Sequence, residues 1–457
     1  MESAKEQLIR RYNVPAPRYT SYPTVPYWDK QVPDEGRWSQ VVQQTFEESN
    51  AQKGLSLYLH LPFCESLCTY CACHTRITRN HAVELPYAEA ILREWDLYRS
   101  QWPQTPHLRE LHLGGGTPTF YSPQNLQWLL ERLLKGVRLH PNFEFSFEGH
   151  PNNTTAAHLQ TLYELGFKRV SYGIQDFDER VQRAIHRPQP YQNVRNATEQ
   201  AREMSYTSVN FDLVYGLPFQ TRESMRATLE KVIELRPDRI AFYSYAHVPW
   251  MRPGQRSFTE ADLPDSESKR ALYEMGLEAF TRAGYADVGM DHFALPGDGL
   301  FEAARKGTLH RNFMGYTTCQ TDLLIGLGAS AISDAKGAYL QNLKSVEAYT
   351  QSLIEGKLPV LKGHFLTKED QIIRQAILDI VCRGRLNWNS PLMHTLDNQA
   401  MQNWRQMEGE GLLELDECGL RVTPLGQAFV RNVAMVLDKK LREPAKGPAV
   451  PQFSKAI

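Results

Sequence analysis

The sequence predicts an α/β protein: an incomplete (β/α) barrel of six units, preceded by an N-terminal arm and followed by a mostly helical, winged-helix-like C-terminal domain. Three observations predict it. From about residue 55, short apolar, β-branched or aromatic runs alternate with longer helical patterns, as βαβ units around a parallel sheet do. Glycine and polar residues concentrate at the same end of every unit. After about Leu361 the alternation gives way to helical patterns and one hairpin.

The elements follow in order. The arm, residues 1–50, carries Arg18-Tyr19-Thr20-Ser21-Tyr22-Pro23-Thr24, too aromatic for a disordered tail. Strands are expected at Leu55–Phe63, Leu108–Leu113, Glu144–Glu148, Arg169–Gln175, Ser208–Tyr215 and Arg239–Ala246. Between them, helices are expected at Tyr87–Tyr98, Asn125–Leu134, Ala156–Leu165, Val194–Met204 and Glu223–Leu235. In the last of these, Met225, Leu229, Val232 and Ile233 recur at helical spacing. No second dinucleotide-type half follows, which favours a partial barrel over a doubly wound sheet. The barrel and its extension are assigned 51–360 and the helical domain 361–441. In that domain, two alternating runs around Glu417-Cys418-Gly419 read as a hairpin, followed by a helix over Leu425–Leu437. The tail, 442–457, is rich in Pro, Ala and Lys and is expected to be partly disordered.

Composition narrows the function classes. A chain of 457 residues has room for two or three domains. Its 51 basic and 52 acidic residues nearly cancel, which removes any whole-chain argument for nucleic acid. The winged-helix-like unit is therefore read as a packing or lid domain. No stretch approaches 18 consecutive apolar residues, and Met1 to Asn13 lacks an apolar signal core. The expectation is a cytoplasmic protein without a membrane span, and the balanced surface permits a monomer. Of the seven cysteines, Cys64, Cys68, Cys71 and Cys73 fall within ten residues. Cys319, Cys382 and Cys418 stand alone and are read as inert thiols. A clustered set in a cytosolic protein points to metal or redox chemistry.

In parallel α/β folds, ligands gather where strands run out into the following loops. Here those ends read Pro62-Phe63-Cys64, Gly114-Gly115-Gly116-Thr117-Pro118, Glu148-Gly149-His150-Pro151, Gly173-Ile174-Gln175-Asp176, Tyr215-Gly216-Leu217-Pro218 and Tyr245-Ala246-His247-Val248-Pro249. Turn propensity explains Gly and Pro but not the Glu, Gln and His. The set Cys64-x3-Cys68-x2-Cys71 follows the first strand. Extended, it would span roughly 23–25 Å, so a loop holding one small cubane must curl around it. Soft thiolates suit an iron–sulfur cluster, and three of them leave one iron open to another ligand. Structural zinc would favour two separated Cys-x2-Cys knuckles. A ferredoxin-type carrier would recruit Cys73 or a distant cysteine as fourth ligand, and spacing alone leaves Cys73 in either role. The glycine run is not a P-loop, because no Gly-Lys-Ser/Thr follows.

Cys-x3-Cys-x-Tyr70-Cys resembles the motif of the radical S-adenosylmethionine (SAM) superfamily. The likeness extends over nearly the whole chain. It includes the arm, Tyr58-Leu59-His60-Leu61-Pro62-Phe63-Cys64, Cys71-Ala72-Cys73, the glycine run and Gly173-Ile174-Gln175-Asp176-Phe177. It continues through Asp212-Leu213-Val214-Tyr215-Gly216-Leu217-Pro218, Met290-Asp291-His292-Phe293, His310-Arg311-Asn312-Phe313 and Gln452-Phe453-Ser454. Together these resemble the oxygen-independent coproporphyrinogen III oxidase family.

The resemblance implies a radical-SAM barrel with a [4Fe–4S] cluster on Cys64, Cys68 and Cys71, and two SAM molecules beside it. It implies cofactor contacts at Tyr58, Tyr70, Gly115, Gly116, Thr117, Glu148, Gln175, Arg187, Asp212, Ala246 and Ile332, and a catalytic role for Cys73. The implied substrate is a tetrapyrrole, with an electron donor and a final acceptor that the sequence does not name. Arg18, His310 and Arg311 are candidate anchors for its carboxylates; Tyr19 and Tyr22 either face it or pin the arm. One departure stands out: Gly149-His150 replaces the acidic residue associated with the family before Pro151. Three rivals remain: a haem chaperone on the same barrel, which would lack the arm motif and Cys73; a radical enzyme acting on haem; and a zinc-bearing winged-helix regulator.

Overall fold

The computed structural model describes residues 4–442 and 453; the rest of the expected tail lies outside them. Six parallel strands form its centre: β1 (Leu55–Leu61), β2 (His107–Gly115), β3 (Arg138–Gly149), β4 (Phe167–Gln175), β5 (Ser208–Tyr215) and β6 (Arg239–Ser244). They lie side by side in chain order. Four helices occupy the intervals before β3, β4, β5 and β6: α1 (Pro123–Leu134), α2 (Ala156–Glu164), α3 (Tyr191–Glu203) and α4 (Arg222–Leu235). The interval before β2 holds Glu84–Arg99. Local chemistry starts these helices. Ser122 caps α1 with Pro123 in its first turn, and Thr221 and Ser224 cap α4 reciprocally.

The alternation along β1 shows how sequence becomes barrel. Leu55, Leu57, Leu59 and Leu61 are buried among the surrounding hydrophobic side chains. Ser56, Tyr58 and His60 take the opposite face. The same period puts Glu110 and His112, Glu144, Ser146 and Glu148, Arg169 and Ser171, and Asn210 and Asp212 in register on that inner face. At its lower end the inner face is closed by charge. Arg169 pairs with Glu144, and Arg239 Nε lies 2.6 Å from Asp298. Glu110 accepts from Ser56 at 2.7 Å and Thr317 at 2.5 Å. These pairs leave the opposite end, where the strands run out, as the open one.

The sheet does not stop at six strands. A seventh parallel strand, β7 (Leu324–Leu327), adds to the far side of β1, and antiparallel strands extend both edges to twelve in all. The sheet stays open. The strand Val360–Phe365 belongs to it, so the C-terminal helical unit begins with Lys368–Arg383, later than residue 361. That unit carries the expected hairpin, Leu413–Leu415 with Gly419–Val422, joined by Arg385–Asn387 as a third strand. The expected helix Leu425–Leu437 is divided: a short 3-10 turn, Gly426–Phe429, precedes the α-helix Val430–Met435. Nor is the arm a loose extension. Its helix Glu35–Ser49 buries Trp38, Val42 and Phe46 in the barrel core.

Candidate active site

The cysteine loop is held at both flanks. Phe63–Cys64 pairs with Arg76–Ile77, closing the loop at its base. Cys71 N donates to Cys68 O at 3.1 Å, a tight turn that brings those two residues together. Thr69 bonds Ile185 O and Ala184 O, and His186 Nδ1 lies 2.9 Å from Leu67 O. Cys64 feels the charges of Cys71 and Cys68, and Cys73 those of Cys71 and Cys64. Burial pushes the Cys64 thiol up to about 11, against the effect of Thr117 Oγ1 at 3.4 Å. Cys73 is bound to Cys71: its N–H lies 3.4 Å from the Cys71 sulfur. Cys73, through its own side chain, and nearby Arg187 bring the Cys71 thiol down to about 6, while Cys73 itself is raised.

The second strand end abuts the first. Gly116 N donates to Leu61 O at 2.8 Å and Thr117 N to Phe63 O at 3.0 Å. A Cβ on Gly116 would lie 2.6 Å from the Pro62 carbonyl, and Gly115 (φ +109°) lies against the His60 ring. Gly115 N donates to Glu148 Oε2 at 3.1 Å, with His112 Nε2 3.6 Å from the other oxygen. Tyr58 stacks on His112, and its hydroxyl lies 3.1 Å from His60 Nδ1. Across the lumen, Asp212 accepts from Ser171 and Asn210. Burial, with the charge of Glu148, pushes Asp212 up to about 6.

Arg187 joins the fourth strand end to the cysteine loop. Its NH2 and Nε donate to Gly173 O at 2.7 and 3.2 Å, and NH1 lies 3.5 Å from the Cys68 sulfur. Gln175 adopts a left-handed backbone, φ +67°, sparsely populated for a side-chain-bearing residue and typical of sites under functional constraint. Burial and Arg187 push His150 down to about 3, and its Nδ1 accepts from Asn152 N at 3.2 Å. The departure at this position therefore places a neutral ring beside Arg187.

Cys64, Cys68, Cys71, Cys73, Tyr58, Gly115, Gly116, Thr117, Glu148, Gln175, Arg187 and Asp212 thus gather at one end of the sheet, and Tyr70 packs beside the apolar cluster of Val181, Ile185 and Tyr245. Ile332 opens the strand Ile332–Asp334, its carbonyl against Gly326, which pairs with Tyr58. It lies one strand beyond β7 and packs against the Trp28–Tyr339 aromatic group. Tyr19 and Tyr22 are each 2 % exposed and belong to the core shared with the C-terminal unit, Tyr19 OH donating to Asp438 at 3.1 Å. These tyrosines pin the arm. His310 parts company with Arg311 because adjacent strand residues point to opposite faces. It feels the charges of Arg374, Arg383, Asp322 and Lys53, while Arg311 lies against Arg18 and Tyr316.

Two glutamines have no motif to announce them. Gln255 joins the cysteine loop to the sixth strand end, donating to Tyr70 O at 3.1 Å and Ala246 O at 3.3 Å and accepting from Val248 N at 2.6 Å. Gln220 accepts from Gly216 and Leu217 N–H and donates to Asp176 at 2.6 Å.

The radical SAM superfamily profile matches residues 58–232. An oxygen-independent coproporphyrinogen III oxidase from Salmonella typhimurium is 37 % identical over 98 % of both chains, and one from Helicobacter pylori 36 % over the full length of both. The solved coproporphyrinogen III oxidase of Escherichia coli, described as a radical SAM enzyme, superposes with a TM-score of 0.86 at 35 % identity. It covers 93 % of this chain and 97 % of that one. The chain belongs to the oxygen-independent coproporphyrinogen III oxidases.

Membership of the radical SAM superfamily implies a [4Fe–4S] cluster and SAM for this oxidase. The residues present fit both. Three soft thiols share a curled loop, with a guanidinium against one sulfur. The glycines of the adjoining strand end leave room where a Cβ would collide with backbone or ring. Among the described residues, no helix is long and apolar enough to cross a membrane.

Proposed function

We propose that the chain catalyses the anaerobic oxidative decarboxylation of two propionate side chains of coproporphyrinogen III to vinyl groups, giving protoporphyrinogen IX. The observation that carries this reading is the curled three-thiol loop at the open end of the lumen, in a chain alike to the family's oxidases from arm to C-terminal unit. Cys64, Cys68 and Cys71 hold the cluster. Bound there, the cluster and SAM would supply radical chemistry able to remove a hydrogen atom from the propionate β-carbon. Loss of CO2 and one electron from the substrate then forms the vinyl group, the electron passing to an unidentified acceptor.

The chain's own residues position and enclose. Arg187 offers a planar fork to a methionine carboxylate, and Glu148 and Asp212 accept from an amino group or ribose hydroxyls. Gly115, Gly116 and Thr117 bring backbone close to the ligand, and Tyr70, tied to Ala246 through Gln255, offers a ring face to adenine. Tyr58, Gln175 and Ile332 complete the expected contacts, and two SAM molecules share them. Cys73, beside Cys71 and within the field of Glu148, is assigned the catalytic role rather than a place among the cluster ligands.

The test is anaerobic incubation of reconstituted protein with reductant, SAM and coproporphyrinogen III, followed by identification of the tetrapyrrole. Protoporphyrinogen IX is expected. Tight haem binding without decarboxylation would contradict the reading.

A further inference from the structure

We propose that Arg18 and Arg311, brought together through contacts that include those of Arg431, form a cradle for one carboxylate of the tetrapyrrole; this rests on the function proposed above. The three arginines come from the arm, the barrel extension and the C-terminal unit. They converge on Ala16-Pro17-Arg18. Arg431 donates to the carbonyls of Ala16 and Pro17, and Arg311 Nε donates to Arg18 O at 2.8 Å.

Arg311 carries the argument furthest. It is 4 % exposed, its guanidinium lies 4.7 Å from the Tyr316 ring centre, and its NH1 is buried without a hydrogen-bond partner. A buried N–H left unmade is expensive, so such an atom in a native structure calls for an acceptor. Arg18 is different: 27 % of its side chain remains accessible, so it faces open space. It meets Asp291 at 2.9 Å and the ring of Tyr243 at 5.3 Å.

Charge points the same way. Arg18 and Arg311 both weigh on Arg431, against the attraction of Asp291. His292, whose ring lies 3.3 Å from Tyr243 OH, adds no positive charge, because burial and Arg311 push it down to about 4. The unpartnered guanidinium N–H of Arg311 in this enclosed place is satisfied best by an anion. A carboxylate matches the planar guanidinium fork. The place suits a substrate group and not a remote surface ion, because Ala241 pairs with Asp212 and Tyr243, two residues further along β6, takes the same inner face that carries Asp212, Ser171 and Glu148. The cradle therefore opens on the same lumen as the cysteine loop, with Tyr243 as an aromatic wall between them.

The test uses full-length reconstituted protein and two air-stable probes, coproporphyrin III with four carboxylates and its uncharged tetraamide, titrated by fluorescence. The wild type is expected to prefer the carboxylate form. Arg311→Gln should reduce that preference ~10- to 100-fold, as expected for loss of a charge-assisted pair, with amide binding and iron content unchanged. Arg18→Gln, at a part-exposed side chain, should do likewise and serves should Arg311→Gln fold poorly. An unchanged preference in the folded variants, or none in the wild type, overturns the cradle. The probes read binding alone, so a wild type that failed to decarboxylate would defeat the proposed function without touching this result.

Discussion

Replacing Gly116 with alanine probes the junction on which the cluster loop depends. The new Cβ would stand 2.6 Å from Pro62 C and O and 2.8 Å from Phe63 O, all backbone atoms. That is roughly 0.8 Å inside ordinary contact, and no side-chain rotation relieves it. The ends of β1 and β2 must part, stretching the bonds from Gly116 N to Leu61 O and from Thr117 N to Phe63 O. Two weakened hydrogen bonds and the overpacking together cost about 2–4 kcal/mol. The displacement falls on the residue immediately before Cys64. Iron per chain after anaerobic reconstitution, with the visible absorption of the cluster, reads the outcome. Gly116→Ala should fall well short of the wild type. Gly409→Ala, where a Cβ meets nothing within 4 Å, should match it. Wild-type iron content in Gly116→Ala would refute the reasoning.

Other predictions address the thiols and the frame. Cys64→Ala should abolish both iron retention and turnover, whereas Cys73→Ser should keep about four irons per chain while losing turnover; loss of iron from Cys73→Ser would make it a ligand. Glu94 accepts from Tyr349 OH at 2.6 Å, Gly328 N at 2.9 Å and Asn342 Nδ2 at 2.7 Å, and Asn342 is fixed by a further bond to Gly328 O. Glu94→Gln must set an amide N–H against a donor, so it should lower stability by about 2–3 kcal/mol in urea titration, and an unchanged midpoint would count against this network. Burial raises Asp370, but His364 at 3.7 Å and two bonds from Thr367 outweigh it, bringing the carboxyl to about 2. Its folded pKa is depressed, so its contribution is present above pH ~4 and is lost as pH falls toward ~2. The wild type should lose about 1–2 kcal/mol relative to Asp370→Asn over that window, and parallel acid titrations would contradict the assignment.

Much of the fold was legible because the inner and outer faces of the strands differ so sharply. Leu55-Ser56-Leu57-Tyr58-Leu59-His60-Leu61 states its own alternation, and Ser208–Tyr215 is found where the pattern puts it. The cysteine loop declared itself by spacing. What stayed hidden depends on distant partners. Leu324–Leu327 is a four-residue run containing Gly326, whose missing Cβ lets Ile332 O approach. Such a run is too short for periodicity to identify, yet it completes the far side of β1. Gln255, in a short 3-10 helix, and Gln220, in a loop, belong to no periodic pattern, and only the folded chain shows what they join. The candidate anchors show the limit most plainly. His310 and Arg311 are neighbours in sequence, but strand geometry sends one toward Lys53 and Asp322 and the other toward Arg18 and Tyr316. Tyr19 and Tyr22 carry the chemistry of a porphyrin contact and are buried as packing.

The measurement that tests the account most directly is the count of 5′-deoxyadenosine formed against vinyl groups made in a single anaerobic incubation with reductant, SAM and coproporphyrinogen III. Each vinyl group requires one hydrogen atom removed and not returned, so the account predicts a ratio close to one. Vinyl formation without deoxyadenosine, or undiminished vinyl formation by Cys64→Ala, would contradict it.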